Sequence, residues 1–581
     1  MKTFAKVAPI LKRNLPILLL GIFVLIIIDG IQLIIPKIIQ TTIDKIGVKD
    51  ITHAAIFQAS LLIVGMTLVM TFLRYFWRLF LIGTAWVIDR DMRNDYFQHL
   101  MKLSANFFNK TKTGDLMAYA TNDLNAIRML IGFGMVIGVD ILILTVGNIL
   151  FMLNISPKLT LLAILPMPVL SIVIIVLGRK IHSRFRNVQN TFATLSGKVQ
   201  ESISGIRVVK AFAQEDAELE KVSLSAYDYV KQTISLVKIQ AIFHPSFMLI
   251  IGFSMLMVMV FGGEATILDD ISMGEFIAFF QYLGMFIWPM IAIGWVVNMY
   301  QQGTVSLRRL NEIFEIQPEI KDEQADASIK TLPGKLEIKD LSFQYQPNLP
   351  FIFKDLSISV PQGKTLAVVG KTGSGKTTFL ELLTRVYNPP ENTIFIDEHE
   401  IYKIPLSTLR AHLILVPQDI FLFSATVANN IRLGKPEATF EEVVEVAKNA
   451  QVYEEILEFE NGFDTIIGER GVTLSGGQKQ RLAIARALLI NPAVLLLDDA
   501  LSAVDTKTEK EILNHLIRLR TNKTTIIIAH RISSLQHADN IIVLENSTIQ
   551  EQGTHEELLA QKGIYAELYE KQQIEERLEE M

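Results

Sequence analysis

The 581-residue chain contains no cysteine, which excludes disulfides and thiolate metal sites. It has no marked charge of either sign: 55 Lys and Arg against 60 Asp and Glu leave a net charge of −5. That is too small to imply a nucleic-acid partner or electrostatic steering. Lys2, Lys6, Lys12 and Arg13 precede an apolar run with no small-residue cleavage site after it, so the run reads as a first membrane span and not as a signal peptide. Two long polar stretches, 88–128 and 179–238, are almost free of proline and glycine. Ordinary loops are thereby excluded there, and the simplest structure is helix continuing well beyond the bilayer.

Half of the residues are apolar, and they concentrate before about Tyr300. Six stretches are long enough to cross about 30 Å of hydrocarbon. They are roughly Leu15–Ile35, Ile56–Gly83, Met129–Leu153, Leu159–Leu177, Ala241–Gly263 and Phe276–Val297. Only Asn154–Lys158 separates the third from the fourth, a tight hairpin. Arg90, Arg93, Lys102, Lys110 and Lys112 follow span two, and Arg179, Lys180, Arg184, Arg186, Lys198, Arg207 and Lys210 follow span four. The loop before span six carries only Glu264, Asp269 and Asp270. The positive-inside bias therefore places both termini and both long loops in the cytoplasm of a multi-pass protein of the plasma membrane.

Charges within spans are costly and face a cavity or a partner. Asp29, Arg74, Arg78 and Asp140 are such residues, with His244, Gln281 and Asn298 as milder cases. They read either as a substrate-facing polar site or as Arg–Asp pairing between helices, the second being preferred; Arg74 and Arg78 could also snorkel. Phe253, Met255, Met257, Met259, Phe280, Phe286, Trp288 and Trp295 form either an adaptable wall for an amphipathic substrate or lipid-facing surface.

After Leu307–Phe314 the stretch from Gln317 to Gly334 is charged and lacks apolar periodicity, as a linker does. Alternation then resumes in an α/β pattern. Gly370-Lys-Thr-Gly-Ser-Gly-Lys376-Thr377 follows the strand-like Thr365–Val369 and precedes a helical run, the context of a phosphate-cradling loop. Backbone N–H groups from Thr372 to Thr377 enclose a β-phosphate, Lys376 reaches the β- and γ-oxygens, and Thr377 offers a hydroxyl to Mg²⁺. Farther on, Leu474-Ser-Gly-Gly-Gln478 opens an apolar-periodic segment whose bare N–H groups can hold an anion. A buried strand, Val494–Leu497, then ends in Asp498 and Asp499. Together these describe a nucleotide engine.

Leu474–Gln478 resembles the signature of ATP-binding cassette (ABC) proteins, and nearly the whole chain resembles an ABC exporter half-transporter. The resemblance implies an α-helical six-span membrane domain (1–313), a linker (314–335) and a cytoplasmic α/β P-loop ATPase domain (336–581). It implies coupling helices around Phe107–Leu116 and Glu201–Phe212. The implied nucleotide contacts are Tyr345, stacking on adenine, Gly370, Thr372, Gly373, Ser374, Gly375, Lys376, Thr377 and Thr378. Ser475, Gly476, Gly477 and Gln478 would meet an ATP held by a second subunit. The implied Mg²⁺ set is Thr377, Gln418 and Asp498, and the implied catalytic set is Gln418, Asp499 and His530. Gly468-Glu469-Arg470-Gly471 resembles an exporter-specific loop, and Asp505 matches a residue that communicates between the two sites.

One position departs from the pattern. The family's working sites place glutamate after the metal-holding aspartate, and this chain has Asp499. The shorter carboxylate falls back by about an ångström, a displacement that can cost about a hundredfold in rate. The reading that follows is a heterodimeric exporter of amphipathic drugs or lipids. This chain supplies a slow ATP site and an intact signature for its partner's fast one. A homodimer and an ATP-gated membrane regulator are the competing readings; six spans speak against a soluble ATPase, and the fused spans speak against an importer.

Overall fold

The computed structural model describes residues 8–48, 50–468, 474–504, 506–529, 531–532 and 535–579. Lys2, Lys6, Glu469, Arg470, Gly471, Asp505 and His530 lie outside the described residues, as does the side chain of His244. The chain divides into two compact units, one of 1–99 and 114–315, the other of 100–113 and 316–581.

The first unit is all helix: α1 (Ala8–Gly47), α2 (His53–Trp77), α3 (Thr84–Leu100), and, after α4 (Ala105–Lys110) in the other unit, α5 (Thr113–Ala118), α6 (Leu124–Met129), α7 (Met135–Ile155), α8 (Pro157–Ile164), α9 (Met167–Ser204), α10 (Ile206–Ala211), α11 (Glu215–Met257), α12 (Gly263–Ile267) and α13 (Met273–Glu315). Short π-helical turns, such as Arg78–Gly83, join several of these into continuous rods. Among the described residues five such rods are long and apolar enough to cross a membrane. The expected fourth span is divided between α8 and α9 by a turn at Leu165–Pro166. Pro166 and Pro168 lack the N–H that would continue the ladder, so the apolar run carries across while the helix does not.

The two long polar stretches are helical, as their composition predicts: α9 and α11 run far past their apolar portions and pack along each other. Helices α1 and α13 approach closely at Gly274, where a Cβ would lie 2.2 Å from the Gln40 carbonyl oxygen, and the Gly274 amide donates to Asp44 at 2.8 Å. The expected Arg–Asp pairing takes a looser form: the charge of Arg74 acts on both Asp29 and Asp140. Among the described residues Arg74 and Arg78 form no ion pair, and Arg78 lies 5.7 Å from the Trp77 ring. Asp29, 3 % exposed, instead meets the carboxyl of Asp140 within hydrogen-bonding reach.

The second unit contains two sheets. Four strands pair antiparallel in the order β2 (Phe353–Val360), β1 (Leu336–Phe343), β4 (Ile394–Ile396), β5 (His399–Glu400). The other sheet runs β10 (Thr548–Gly553), β9 (Asn540–Glu545), β3 (Thr365–Val369), β8 (Thr524–Ile528), β7 (Val494–Asp498), β6 (Leu413–Val416), all parallel except the edge strand β10. Around it lie α14 (Lys376–Leu383), α15 (Leu406–His412), α16 (Val427–Arg432), α17 (Phe440–Asn449), α18 (Tyr453–Leu457), α19 (Gly476–Ile490), α20 (Thr506–Leu519), α21 (His555–Gln561) and α22 (Ile564–Glu579). Every residue of β7 is buried, which is why it reads as an unbroken apolar run. Each of its leucines stabilises the sheet by about 2 kcal/mol.

The segment 100–113, with α4, belongs to this unit. Ser104 and Asn106 donate to Glu319 at 2.9 Å, and Asn109 donates to the Tyr387 hydroxyl at 2.8 Å.

Candidate active site

Strand order builds the site. Parallel strands β3, β8, β7 and β6 lie side by side, so the segments leaving their C-terminal ends share one edge of the sheet. Leaving β3 is the loop Gly370–Gly375, leaving β7 are Asp498 and Asp499, and leaving β6 is Gln418. The segment leaving β8 leads to His530, whose position lies outside the described residues.

The loop is shaped by glycine where no other residue serves. Gly373 and Gly375 have φ of 84° and 96°, in the left-handed region. Gly370 passes so close to the Leu544 carbonyl that a Cβ would sit 2.3 Å from its oxygen. Lys376 opens α14 and folds back over the loop, donating to the carbonyl oxygens of Gly370 (2.8 Å) and Lys371 (3.0 Å). Burial pushes its pKa down, while the facing carboxylates of Asp498 and Asp499 act in the opposite sense. The Ser374 hydroxyl is buried and finds no hydrogen-bond partner among the described residues. A left-handed turn, a cation over it and an orphaned hydroxyl suit a bound phosphate. The oxygens of Thr377, Gln418 and Asp498 are of the kind a hard cation such as Mg²⁺ takes.

Asp498 closes β7 and is 3 % exposed. Asp499 follows in the left-handed region, φ 49°, its amide bonded to the Ile528 carbonyl at 2.9 Å. Its side chain meets Gln418, whose Nε2 donates to Oδ2 at 3.3 Å.

Tyr345 stands beside the first turn of α14. Its hydroxyl bonds Thr378 Oγ1 at 2.8 Å, and its ring meets Phe343 and Tyr387 edge-on at 5.3 and 5.0 Å. Burial pushes its pKa up to about 12 and also raises that of Glu381, 3.4 Å from the same hydroxyl. Thr378 is 7 % exposed, its hydroxyl already engaged by tyrosine.

Ser475 caps α19. Its hydroxyl accepts from the Gln478 amide (3.2 Å) while Gln478 Oε1 accepts from the Ser475 amide (2.9 Å), a capping box. The side chains of Ser475 and Gln478 are thus engaged with each other. Gly476 and Gly477 fit against Ala503, where a Cβ would come within 2.9 and 3.1 Å of it.

Sequence reasoning passed over Gln480. It is 5 % exposed, donates to Ser502 Oγ (3.1 Å) and the Asp499 carbonyl (3.4 Å), and accepts from the Ala503 amide (2.9 Å). It ties the signature helix to the segment after the carboxylates. A polar residue on the buried face of an amphipathic helix was the available signal.

Long membrane-crossing helices fused to a phosphate loop, a capped signature helix and a carboxylate-tipped strand define an ATP-powered membrane transporter. The family model for the ABC transporter transmembrane region matches residues 18–290, and a second model, described as ABC transporter, matches 353–502. The chain is 39 % identical to the "Probable multidrug resistance ABC transporter ATP-binding/permease protein YheI" of Bacillus subtilis (strain 168), over 96 % of this chain and 95 % of that one. It is 36 % identical to the "Multidrug resistance-like ATP-binding protein MdlA" of Escherichia coli (strain K12), over 100 % and 98 %. A bacterial Atm1-family ABC exporter solved with ATP bound superposes with a TM-score of 0.77 at 27 % identity, covering 97 % of this chain and 99 % of that one. The chain belongs to the ABC transporter family, with membrane and ATPase regions of exporter type in one polypeptide. Its ATPase powers export, and exporters of this type work as dimers in the bilayer.

Proposed function

We propose that this chain is one subunit of a heterodimeric exporter of amphipathic drugs or lipids in the plasma membrane, with its ATPase unit and both termini cytoplasmic. The observation that carries the asymmetry is Asp499, whose carboxylate rests on Gln418 at 3.3 Å where the resemblance calls for a glutamate reaching an attacking water. In this reading ATP lies against the loop Gly370–Gly375 with Thr372 and Ser374 on its phosphates. Lys376 holds the β- and γ-oxygens, Tyr345 stacks on adenine, and His530 contacts the γ-phosphate. Mg²⁺ held by Thr377, Gln418 and Asp498 supplies charge neutralisation at the phosphates. Asp499 is too short to position water well, so this site holds ATP longer than it hydrolyses it.

The helix start at Ser475, Gly476, Gly477 and Gln478 completes the partner's site, where a partner glutamate acts. ATP binding closes the two ATPase units and turns the cavity outward, and hydrolysis at the competent site resets it. The multidrug descriptions of YheI and MdlA support the substrate class.

The test compares Asp499→Asn with removal of the partner's glutamate in the assembled transporter. The partner change should abolish ATP turnover and Asp499→Asn should leave most of it. Equal loss from both, or brisk turnover by this chain purified alone, would favour a homodimer.

A further inference from the structure

Between α3 and α4 the chain reads Met101-Lys102-Leu103-Ser104-Ala105, an apolar stretch holding one cation. It belongs to the same compact unit as the linker and the ATPase sheets. With Pro318, Ile320 and Lys321 of the linker, Val386, and Leu406 and Arg410 of α15, it encloses a cavity of about 500 Å³. That is the size of a small-molecule site. Met101, Ile320 and Leu406 supply apolar wall, and Ser104 fixes the stretch to the linker through Glu319 at 2.9 Å.

The charge on this wall has one sign. Among the described residues Lys102, Lys321 and Arg410 line the cavity and no carboxylate does. The carboxylates nearby are engaged elsewhere. Glu319 accepts from Ser104 and Asn106 at 2.9 Å, Asp322 accepts the Leu406 amide at 3.1 Å, and Glu323 pairs with Lys321 at 3.1 Å. Among the described residues Lys102 and Arg410 form no ion pair. Behind them stands a fourth cation, Arg385, which is 1 % exposed. It donates to the Lys321 carbonyl at 3.1 Å, and its own carbonyl accepts from Arg410 at 3.0 Å. Its Nε and Nη1 find no hydrogen-bond acceptor among the described residues, the nearest carboxylate oxygen being that of Asp322 at 3.9 Å from Nη1. Burial lowers its pKa; Tyr402 and Asp322 oppose this and Arg410 adds to it. An apolar hollow with unpaired cations at its wall favours an occupant that is apolar along its length and negative at one end.

We propose that this cavity binds a single-chain amphipathic anion of the fatty-carboxylate class, its tail against Met101, Ile320 and Leu406 and its headgroup on Lys102 and Arg410. The site shares no residue with the nucleotide contacts and does not depend on what the spans export. An occupant joins the stretch 101–105 to the linker and α15.

The chain has no cysteine, so Ala105→Cys places its one thiol on the cavity wall. The full-length variant, in nanodiscs of neutral lipid, is modified with N-ethylmaleimide, with decanoate as the probe. Decanoate at saturation should slow modification about fivefold or more, whereas decanol and acetate, each lacking one half of the amphiphile, should not. Thr521→Cys, exposed elsewhere on the ATPase unit, should react at one rate throughout. Adding Lys102→Gln and Arg410→Gln to Ala105→Cys should raise the decanoate concentration needed by about tenfold, with ATP binding unaltered. Titration calorimetry of decanoate into the wild-type chain and into Lys102→Gln, Arg410→Gln reads the same difference without a thiol. Equal protection by decanol, protection that survives loss of both cations, or identical heats from the two calorimetric samples would overturn the proposal. So would protection in phosphatidylglycerol nanodiscs without decanoate, since the occupant would then be a two-chain membrane lipid.

Discussion

Asp499 occupies a left-handed backbone position after a fully buried strand, with its amide and carbonyl both bonded. The backbone there is fixed, so side-chain length alone sets how far the carboxylate reaches. Asp499→Glu should therefore raise ATP turnover at this chain's own site by about tenfold or more, read as turnover with the partner's glutamate removed. Tyr345 offers a second test. Loss of the ring in Tyr345→Ala should weaken ATP binding by about tenfold, the scale of base–aromatic stacking, whereas Tyr345→Phe should not. If the hydroxyl bond to Thr378 were what matters, Phe would behave like Ala in the same binding measurement.

At the scale of elements, close approach and capping do what apolar area alone does not. Helices α1 and α13 meet backbone to backbone at Gly274. Gly274→Ala must push the Gln40 carbonyl aside and should destabilise the membrane unit by about 1–3 kcal/mol, measured as thermal unfolding in lipid. The junction of α21 and α22 carries a pH dependence. Burial disfavours the imidazolium of His555 and lowers its pKa from the ordinary 6.5. The unfolded junction then takes up the proton first, so stability is fully present above about pH 6.5 and declines as pH falls below it. Protection factors of α22 amides, with the intrinsic pH dependence of exchange divided out, should fall over that acid range, and protection factors flat from about pH 7 to 5 would contradict the assignment.

For the whole molecule, the proposed division of labour separates a chain's phosphate loop from its signature. Gly477→Asp, which closes the helix start with a side chain, should abolish fast turnover of the assembled exporter although it lies outside this chain's own phosphate loop. Lys376→Ala, inside that loop, should slow the assembly far less. The reverse order in ATPase assays would mean that this chain's own site is the fast one.

Much of this was legible along the chain because the signals are local. Apolar length, the glycine pattern of the phosphate loop and the buried run into Asp498 each depend on neighbours in sequence. What the sequence by itself determined was the class: membrane helices, a parallel sheet, a phosphate loop and an aspartate one methylene short. Tertiary structure decided who meets whom. It set Asp29 against Asp140 with the charge of Arg74 acting on both, Asn109 against Tyr387, and Gln480 against the segment after the carboxylates. The physical reason is that hydrogen bonds between residues tens or hundreds apart leave no period in the chain; they exist only once strand order and helix packing have brought their ends together.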